Sequence, residues 1–180
     1  MWLIFDDCLA LLDGRLKQLV TFIVQIDFIS CCMPLMSYNM DDLPNLKGLS
    51  LVCYDKTFFY DNLIVPLLRR TSQLEELIFV CLYFKPAYVN DYSCSIVKYP
   101  HLISLDIIFV NVDYVDQFLN ESKTHLPRLT ELKVQFHALK EVTKTFTQDA
   151  TRLNCATVKR LIVEDSIVFS EDVYRYFPSL

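Results

Sequence analysis

The sequence contains few of the residues that make a chain flexible. Its 180 residues include only 2 glycines and 7 prolines. Phosphate-binding loops need several glycines close together so that the backbone can approach the anion. Gly14 and Gly48 stand far apart, which excludes the common forms of nucleotide site. Because 53% of the residues are hydrophobic, we expect an ordered chain with one sizeable core.

Clustered positive charge is also missing. The net charge is −5, and the 17 basic residues are scattered along the chain. Binders of nucleic acids and anionic membranes usually present a basic patch, so we expect neither as a partner. The longest uncharged run, 28–40, contains Pro34 and is shorter than the roughly 20 apolar residues that span a bilayer. The apolar start at 1–5 has no basic segment before it and does not resemble a signal peptide.

The 7 cysteines form no pair with zinc-ribbon spacing, and their number is odd. This pattern indicates neither a zinc site nor the disulfide framework of a secreted domain. A reducing, intracellular compartment, cytoplasmic or nuclear, is the localisation that it favours.

One short apolar pattern recurs along the whole chain. It has the form L-x-x-L-x-x-L-x-L with conservative replacements, and its six copies have their register residue at positions 19, 46, 74, 102, 129 and 158. These positions are 27, 28, 28, 27 and 29 residues apart. Successive residues of a strand point to opposite faces. Each copy therefore predicts a short strand whose leucines are buried on one face.

The segments between the copies return the chain to the start of the next strand. Several have helical periodicity, such as 62–70 and 115–119. Four prolines stand two residues before a register position, where a proline ends a helix: Pro44, Pro100, Pro127 and Pro178. Coils of one strand and one return segment share a core when they stack. The sequence thus predicts an α/β leucine-rich-repeat solenoid, with a parallel sheet on the concave face and helices and loops on the convex face.

We interpret residues 1–180 as a single solenoid of about six repeats. The segment 3–5 resembles the end of an earlier copy and 178–180 the start of a seventh, so we expect both ends of the chain to fall within repeats. The return segments 28–42 and 84–99 have weak periodicity, which predicts partial loop. The asparagine ladder of many such repeats is replaced by Tyr54, Leu82, Val110, His137 and Ser166, which favours the longer, ribonuclease-inhibitor-like class.

Three segments carry a resemblance to a known family: LPNLKGLSL at 43–51, YDNLIVPLLRR at 60–70 and QLEEL at 73–77. They resemble the repeat region of F-box/leucine-rich-repeat proteins, in a large, lineage-expanded and mostly uncharacterised subfamily. In that family an amino-terminal F-box binds a Skp-type adaptor of a cullin ubiquitin ligase, and the repeats hold the substrate. The resemblance therefore implies a protein-interaction scaffold, the substrate-recognition repeats of such a ligase subunit.

The F-box itself is not found in this chain. Residues 1–18 have the pattern of a strand and a return helix, so a Skp-type adaptor is expected only if an F-box lies upstream. The alternative is an F-box-independent adaptor or decoy, which binds a protein partner without ubiquitination.

No group of residues predicts catalysis, a cofactor or a metal. His101, His125 and His137 fall next to element joints, and their spacing places none beside a nucleophile. Acidic pairs such as Glu164-Asp165 lie at loop or strand ends and indicate solvated charge. We therefore expect a chain that is not an enzyme. Cys53 and Cys81 take equivalent inward positions on adjacent strands, where a disulfide is geometrically conceivable, although a reducing compartment favours two thiols.

The strand residues that alternate with the buried ones predict a binding face. The third outward residue of successive strands places Val52, Val80 and Ile108 side by side, as an apolar strip with a charged margin. The predicted protein-binding residues are Val52, Ile78, Val80, Ile108, Glu76, Asp106, Glu131 and Lys133. A second interpretation is that β-branched residues are simply good strand formers.

Overall fold

The computed structural model describes residue 8 and the ranges 17–26, 43–53, 65–81, 96–164 and 167–180. The strands within these ranges are β1 (Thr21–Ile26), β2 (Gly48–Cys53), β3 (Glu76–Cys81), β4 (Val97–Lys98), β5 (Ser104–Ile107), β6 (Thr124–His125), β7 (Glu131–Val134) and β8 (Arg160–Ile162). The helices are α1 (Val65–Arg69), α2 (Val112–Leu119), α3 (Phe136–Val142), α4 (Asp149–Cys155) and α5 (Glu171–Tyr176). This arrangement confirms the expected α/β class.

A six-stranded sheet runs through the described chain in the order β1-β2-β3-β5-β7-β8. All of its neighbouring strands are parallel, as the repeat predicts. One apolar residue of each strand is paired with the equivalent residue of the next strand: Phe22, Leu49, Leu77, Leu105, Leu132 and Leu161. Five of the six are buried, and Phe22 is half-buried. Residues one sequence period apart are therefore paired on neighbouring strands of the sheet.

A tight turn leads into every strand from β2 onward in this sheet. The amide of the register residue donates to the carbonyl three residues earlier, as Leu129 does to Leu126 at 3.4 Å. Three of these turns, and the equivalent turn at 177–180, have proline at their second position, where its fixed φ suits a β-turn: Pro44, Pro100, Pro127 and Pro178. We had predicted that these prolines end the return helices. The structure places them within the turns that follow.

The strands begin with a hydrogen-bond pattern that repeats five times. Two successive amides share one carbonyl of the preceding repeat; Lys47 and Gly48 donate to the Val20 carbonyl at 2.8 and 3.1 Å. The same pairs occur at 75–76, 103–104, 130–131 and 159–160. Each shared carbonyl satisfies two backbone donors where the strand leaves its turn. We call the side of the sheet formed by these turns and strand starts the turn edge.

The core lies between the leucine face of the sheet and the helices. The Phe79 ring packs edge-on against Tyr114, with centroids 5.3 Å apart, and against Phe118 at 6.1 Å. Asn111 caps α2 by accepting a hydrogen bond from the Asp113 amide at 3.0 Å, which satisfies a donor with no partner inside the helix. The helix predicted at 115–119 is confirmed and begins three residues earlier.

One buried polar side chain ties three elements together. Asn154 in α4 is 1% exposed. Its amide donates to the carbonyls of Leu119 and Thr124 at 3.0 and 2.7 Å, and its oxygen accepts from the Leu126 amide at 2.9 Å. These groups belong to the end of α2, to β6 and to the turn before β7. Asn154 therefore satisfies one buried backbone donor and two buried acceptors from a helix, and the repeat pattern of the sequence did not predict this role.

The predicted loop at 84–99 is only partly described. Its described end contains β4, which pairs in parallel with β6 on a second, two-stranded sheet. We did not predict this pair, because strands of two residues leave no periodic pattern in the sequence. The expectations for 3–5 and 28–42 lie outside the described residues.

Candidate functional site

One face of the six-stranded sheet exposes alternate side chains. A single row of paired residues crosses all six strands along its middle: Ile23, Ser50, Ile78, Asp106, Lys133 and Ile162. Every member is exposed or half-buried, while the residues on either side along each strand are buried or half-buried. We call this surface the outer sheet face.

The first three strands make the outer sheet face apolar. Ile23 is 76% exposed and Ile78 is 40% exposed, and Ser50 separates them. Val52 and Val80 are paired neighbours on β2 and β3, as predicted, and both are half-buried. Large aliphatic side chains at such exposure leave apolar surface in water. The strongest apolar exposure is thus on the middle row and not on the strip of third residues.

Ile108 does not extend that strip as a strand residue, which corrects the prediction. β5 ends at Ile107, because the Asp106 carboxylate accepts a hydrogen bond from the Ile108 amide at 3.3 Å. This local side-chain contact starts a turn. Pairing with β3 resumes as an isolated bridge between Cys81 and Val110. That offset is 29 residues, against 28 for Leu77 and Leu105.

The extra residue is a bulge, and it exposes an aromatic side chain. Phe109 lies in the turn after β5 and is 51% exposed, while its carbonyl accepts from the Cys81 amide at 2.9 Å. Bulges commonly redirect a side chain at the end of a strand. We did not predict this residue. The signal was the run of four apolar residues at 107–110, since an unbroken strand cannot bury them all on one face.

The last three strands make the same face ionic. Lys133 and Asp106 form an ion pair at 3.3 Å. Glu131 accepts from Ser104 at 3.3 Å and pairs with Arg160 at 2.9 Å. Glu76 is exposed on β3, in line with Ser104 and Glu131. The predicted charged residues therefore lie mostly to one side of the apolar surface and not around it.

The residues considered for chemistry are spread over different elements. His101 lies in a turn, His125 on β6 and His137 in α3. No group of three metal-binding side chains occurs among the described residues. Glu164 has a structural contact, since its carboxylate accepts from the amide of Phe136 at the start of α3 at 2.9 Å. A carboxylate there also complements the helix dipole.

The four cysteines that the structure describes are buried as thiols. Cys53 and Cys81 are paired positions on β2 and β3, as predicted, without a disulfide. Burial raises the pKa of Cys155 to about 12. A thiol is a weak nucleophile, because the thiolate is the reactive form, so Cys155 is unsuited to covalent catalysis near neutral pH.

None of the helices in the described ranges has the length and apolar character needed to cross a membrane. In comparisons with protein-family models, with curated proteins and with solved structures, nothing matches this chain. The site must therefore be interpreted from its own residues.

Proposed function

We propose that the chain is a leucine-rich-repeat solenoid that works as a protein-binding scaffold, with the outer sheet face as its concave surface. The support is the coincidence of sequence period and sheet register: each step of 27–29 residues adds one parallel strand, one tight turn and one shared carbonyl. Stacked units of this kind present an extended surface of neighbouring strands. Such a surface suits a protein partner better than a small molecule, which needs a concave, enclosing pocket.

The observation that carries the binding role is the exposure of Ile23 and Ile78 in the middle row. Strand propensity explains a β-branched residue at these positions, but it does not require that two isoleucines with only Ser50 between them stay open to water. An apolar surface next to charged groups is the usual composition of an interface. The ion pairs of β5, β7 and β8 then form the polar side of that interface.

The partner class comes from the resemblance to F-box/leucine-rich-repeat proteins. On that basis the repeats hold the substrate of a Skp–cullin ubiquitin ligase, and the chain itself performs no chemistry. The alternative is an adaptor or decoy that binds its partner without ubiquitination. Co-precipitation of the full-length gene product with a Skp-type adaptor separates the two: the ligase role requires binding, and the adaptor role requires none.

The binding role is tested by replacing Ile23 and Ile78 together with serine. We expect proteins captured by the wild-type chain in cells, identified by quantitative mass spectrometry, to be lost with the double variant while the melting temperature stays unchanged. Val168→Ser is the matched control, because Val168 is 95% exposed and lies outside the sheet. Equal capture by the double variant, or a matching loss of stability, would contradict the proposal.

A further inference from the structure

A second surface, on the turn edge, has the shape and chemistry of a binding groove. It is an open groove of about 350 Å³ formed by the turns and strand starts around β5, β7 and β8. Ile103 and Pro127 give it apolar surface, and Ile103 is 40% exposed. We call it the edge groove. It is distinct from the outer sheet face, since its residues precede the strands.

Two cations line the edge groove, and no carboxylate does among the residues that the structure describes. They are Arg128 and Lys159, and neither forms an ion pair within the described part of the chain. Lys133 and Arg160, on the neighbouring sheet face, are both paired with carboxylates. Among the described residues, the edge groove therefore carries two cations without a carboxylate partner, in a protein whose net charge is −5.

Lys47 and, to a smaller extent, the charge of Arg128 lower the pKa of a described acidic residue, Glu75. A hydrogen bond from Lys47, together with the smaller influence of His101 and Arg128, holds the pKa of Glu75 below its ordinary value. Glu75 makes its contact with Lys47 at 2.8 Å and does not line the groove. Arg128 is thus close enough to affect the pKa of Glu75, but it forms no ion pair with it.

Three hydroxyl groups in the groove donate hydrogen bonds to backbone carbonyls. Thr157 and Ser179 each donate to a carbonyl of the preceding turn at 2.8 Å, and Thr130 donates to the Ile103 carbonyl at 3.4 Å. The amides of Thr130 and Lys159 are likewise engaged in the shared-carbonyl pattern. A hydroxyl that donates in this way has only lone pairs left to offer. The groove therefore presents two cationic donors, three acceptors and an apolar surface.

This inventory distinguishes between possible ligands. A phosphate ion could satisfy the two cations, but Thr157 and Ser179 could donate to its oxygens only by giving up their hydrogen bonds to backbone carbonyls. An extended acidic peptide supplies all three complements: a carboxylate for Arg128 and Lys159, backbone N–H groups for the hydroxyl oxygens, and an aliphatic side chain for Ile103. We propose that the edge groove binds a peptide segment of a partner protein in which an aspartate or glutamate stands beside an aliphatic residue.

The first test is a selection from a library of random displayed peptides on the full chain, with the Arg128→Gln/Lys159→Gln variant in a parallel selection. Enrichment of acidic residues next to leucine, isoleucine or valine, and its loss on the variant, is the expected result. Lys98→Gln/Lys140→Gln is the matched control, because both lysines are exposed and on other elements and the change in charge is equal. Enriched peptides without acidic residues, or enrichment retained on the groove variant, would overturn the proposal.

The second test measures the affinity of the most enriched peptide, labelled with fluorescein, by fluorescence polarisation. We expect binding to weaken about tenfold or more, which is about 1.4 kcal/mol, when the groove cations are removed or when the peptide's acids are replaced by their amides. The Ile23→Ser/Ile78→Ser protein should bind the peptide normally, so this test can succeed or fail independently of the proposed function. Displacement by millimolar inorganic phosphate, or much tighter binding of a phosphoserine form, would show an anion site of another kind and contradict the peptide assignment.

Discussion

The first three strands of the large sheet and the last three share a buried face and differ on the exposed one. β1, β2 and β3 have six residues each, whereas β5 and β7 have four and β8 has three. In the middle row, β1 and β3 expose isoleucine on either side of Ser50, whereas β5 and β7 carry an ion pair and β8 carries Ile162. The repeat thus fixes what is buried and leaves the strand ends and the outer side chains to local chemistry.

The short strands end for identifiable reasons. Asp106 binds the Ile108 amide and terminates β5. β7 is followed directly by α3, and the Glu164 carboxylate from the segment after β8 binds the first amide of that helix. Each contact takes a backbone donor that a longer strand would have used in the sheet. Side chains near the strand ends therefore decide how far each strand continues.

The largest expected effect tests the face that the two regions share. Leu49 in β2 and Leu132 in β7 are 2% and 0% exposed, so Leu49→Ala and Leu132→Ala should each lower the free energy of unfolding by about 2–5 kcal/mol. Urea unfolding monitored by circular dichroism measures the loss. Leu180→Ala, at a partly buried position, is the comparison and should cost clearly less. Equal losses at all three positions would contradict the stacked register.

The next effect belongs to the second region alone. Asn154→Ala leaves the amide of Leu126 and two carbonyls buried without their partner, and each such group costs about 1–3 kcal/mol. We expect a loss of about 3 kcal/mol or more by urea unfolding, with faster hydrogen exchange at Leu126. Leu153→Ala on the same helix is the control, since Leu153 is 56% exposed and should change stability by less than about 0.5 kcal/mol. Loss of stability without a change in exchange at Leu126 would argue against this contact.

A pH dependence should also arise in the second region. Burial raises the pKa of Cys155 from 9.0 to about 12, so the folded state keeps its proton where the unfolded state has lost it. The stability that the buried Cys155 thiol contributes is complete below pH 9 and is lost as the pH rises toward 12. One such proton lowers the free energy of unfolding by about 1.4 kcal/mol per pH unit. Cys155→Ala should reduce this slope in urea unfolding between about pH 9 and 11, and an unchanged slope would count against the burial of the thiol.

The features that recur in every repeat were the ones predicted most reliably from the sequence. The spacing of the leucines gave the strands, their order of pairing and the inward residues, because each strand adds to the last in the same register. The pairing of Val52 with Val80 and that of Cys53 with Cys81 follow from the same spacing. The helix at 115–119 was predictable because its buried residues recur with helical spacing.

Features that depend on individual side-chain contacts were predicted poorly from the sequence. Ile108 was placed on a strand, because its period is correct, but the Asp106 carboxylate overrides the strand there. Asn154 gave no signal, since a polar residue in a helix usually faces water. The edge groove was also missed, because its cations, Arg128 and Lys159, are distant in sequence and meet only when adjacent turns stack.

The smallest expected effect concerns the ion pair that makes the second region's outer face different from the first. The side chains of Lys133 and Asp106 are 33% and 17% exposed, and pairs still open to solvent contribute about 0.2–1 kcal/mol. A double-mutant cycle with Asp106→Asn and Lys133→Gln should give a coupling energy in that range, and the coupling should fall with added salt. Asparagine keeps an oxygen that can accept from the Ile108 amide, so the cycle isolates the charge from the end of β5. Asp106→Ala removes both contacts and should cost about 1 kcal/mol more than Asp106→Asn. A coupling well above about 1 kcal/mol would mean that this face is shielded from water, which would make it part of the core and not a surface available to a partner.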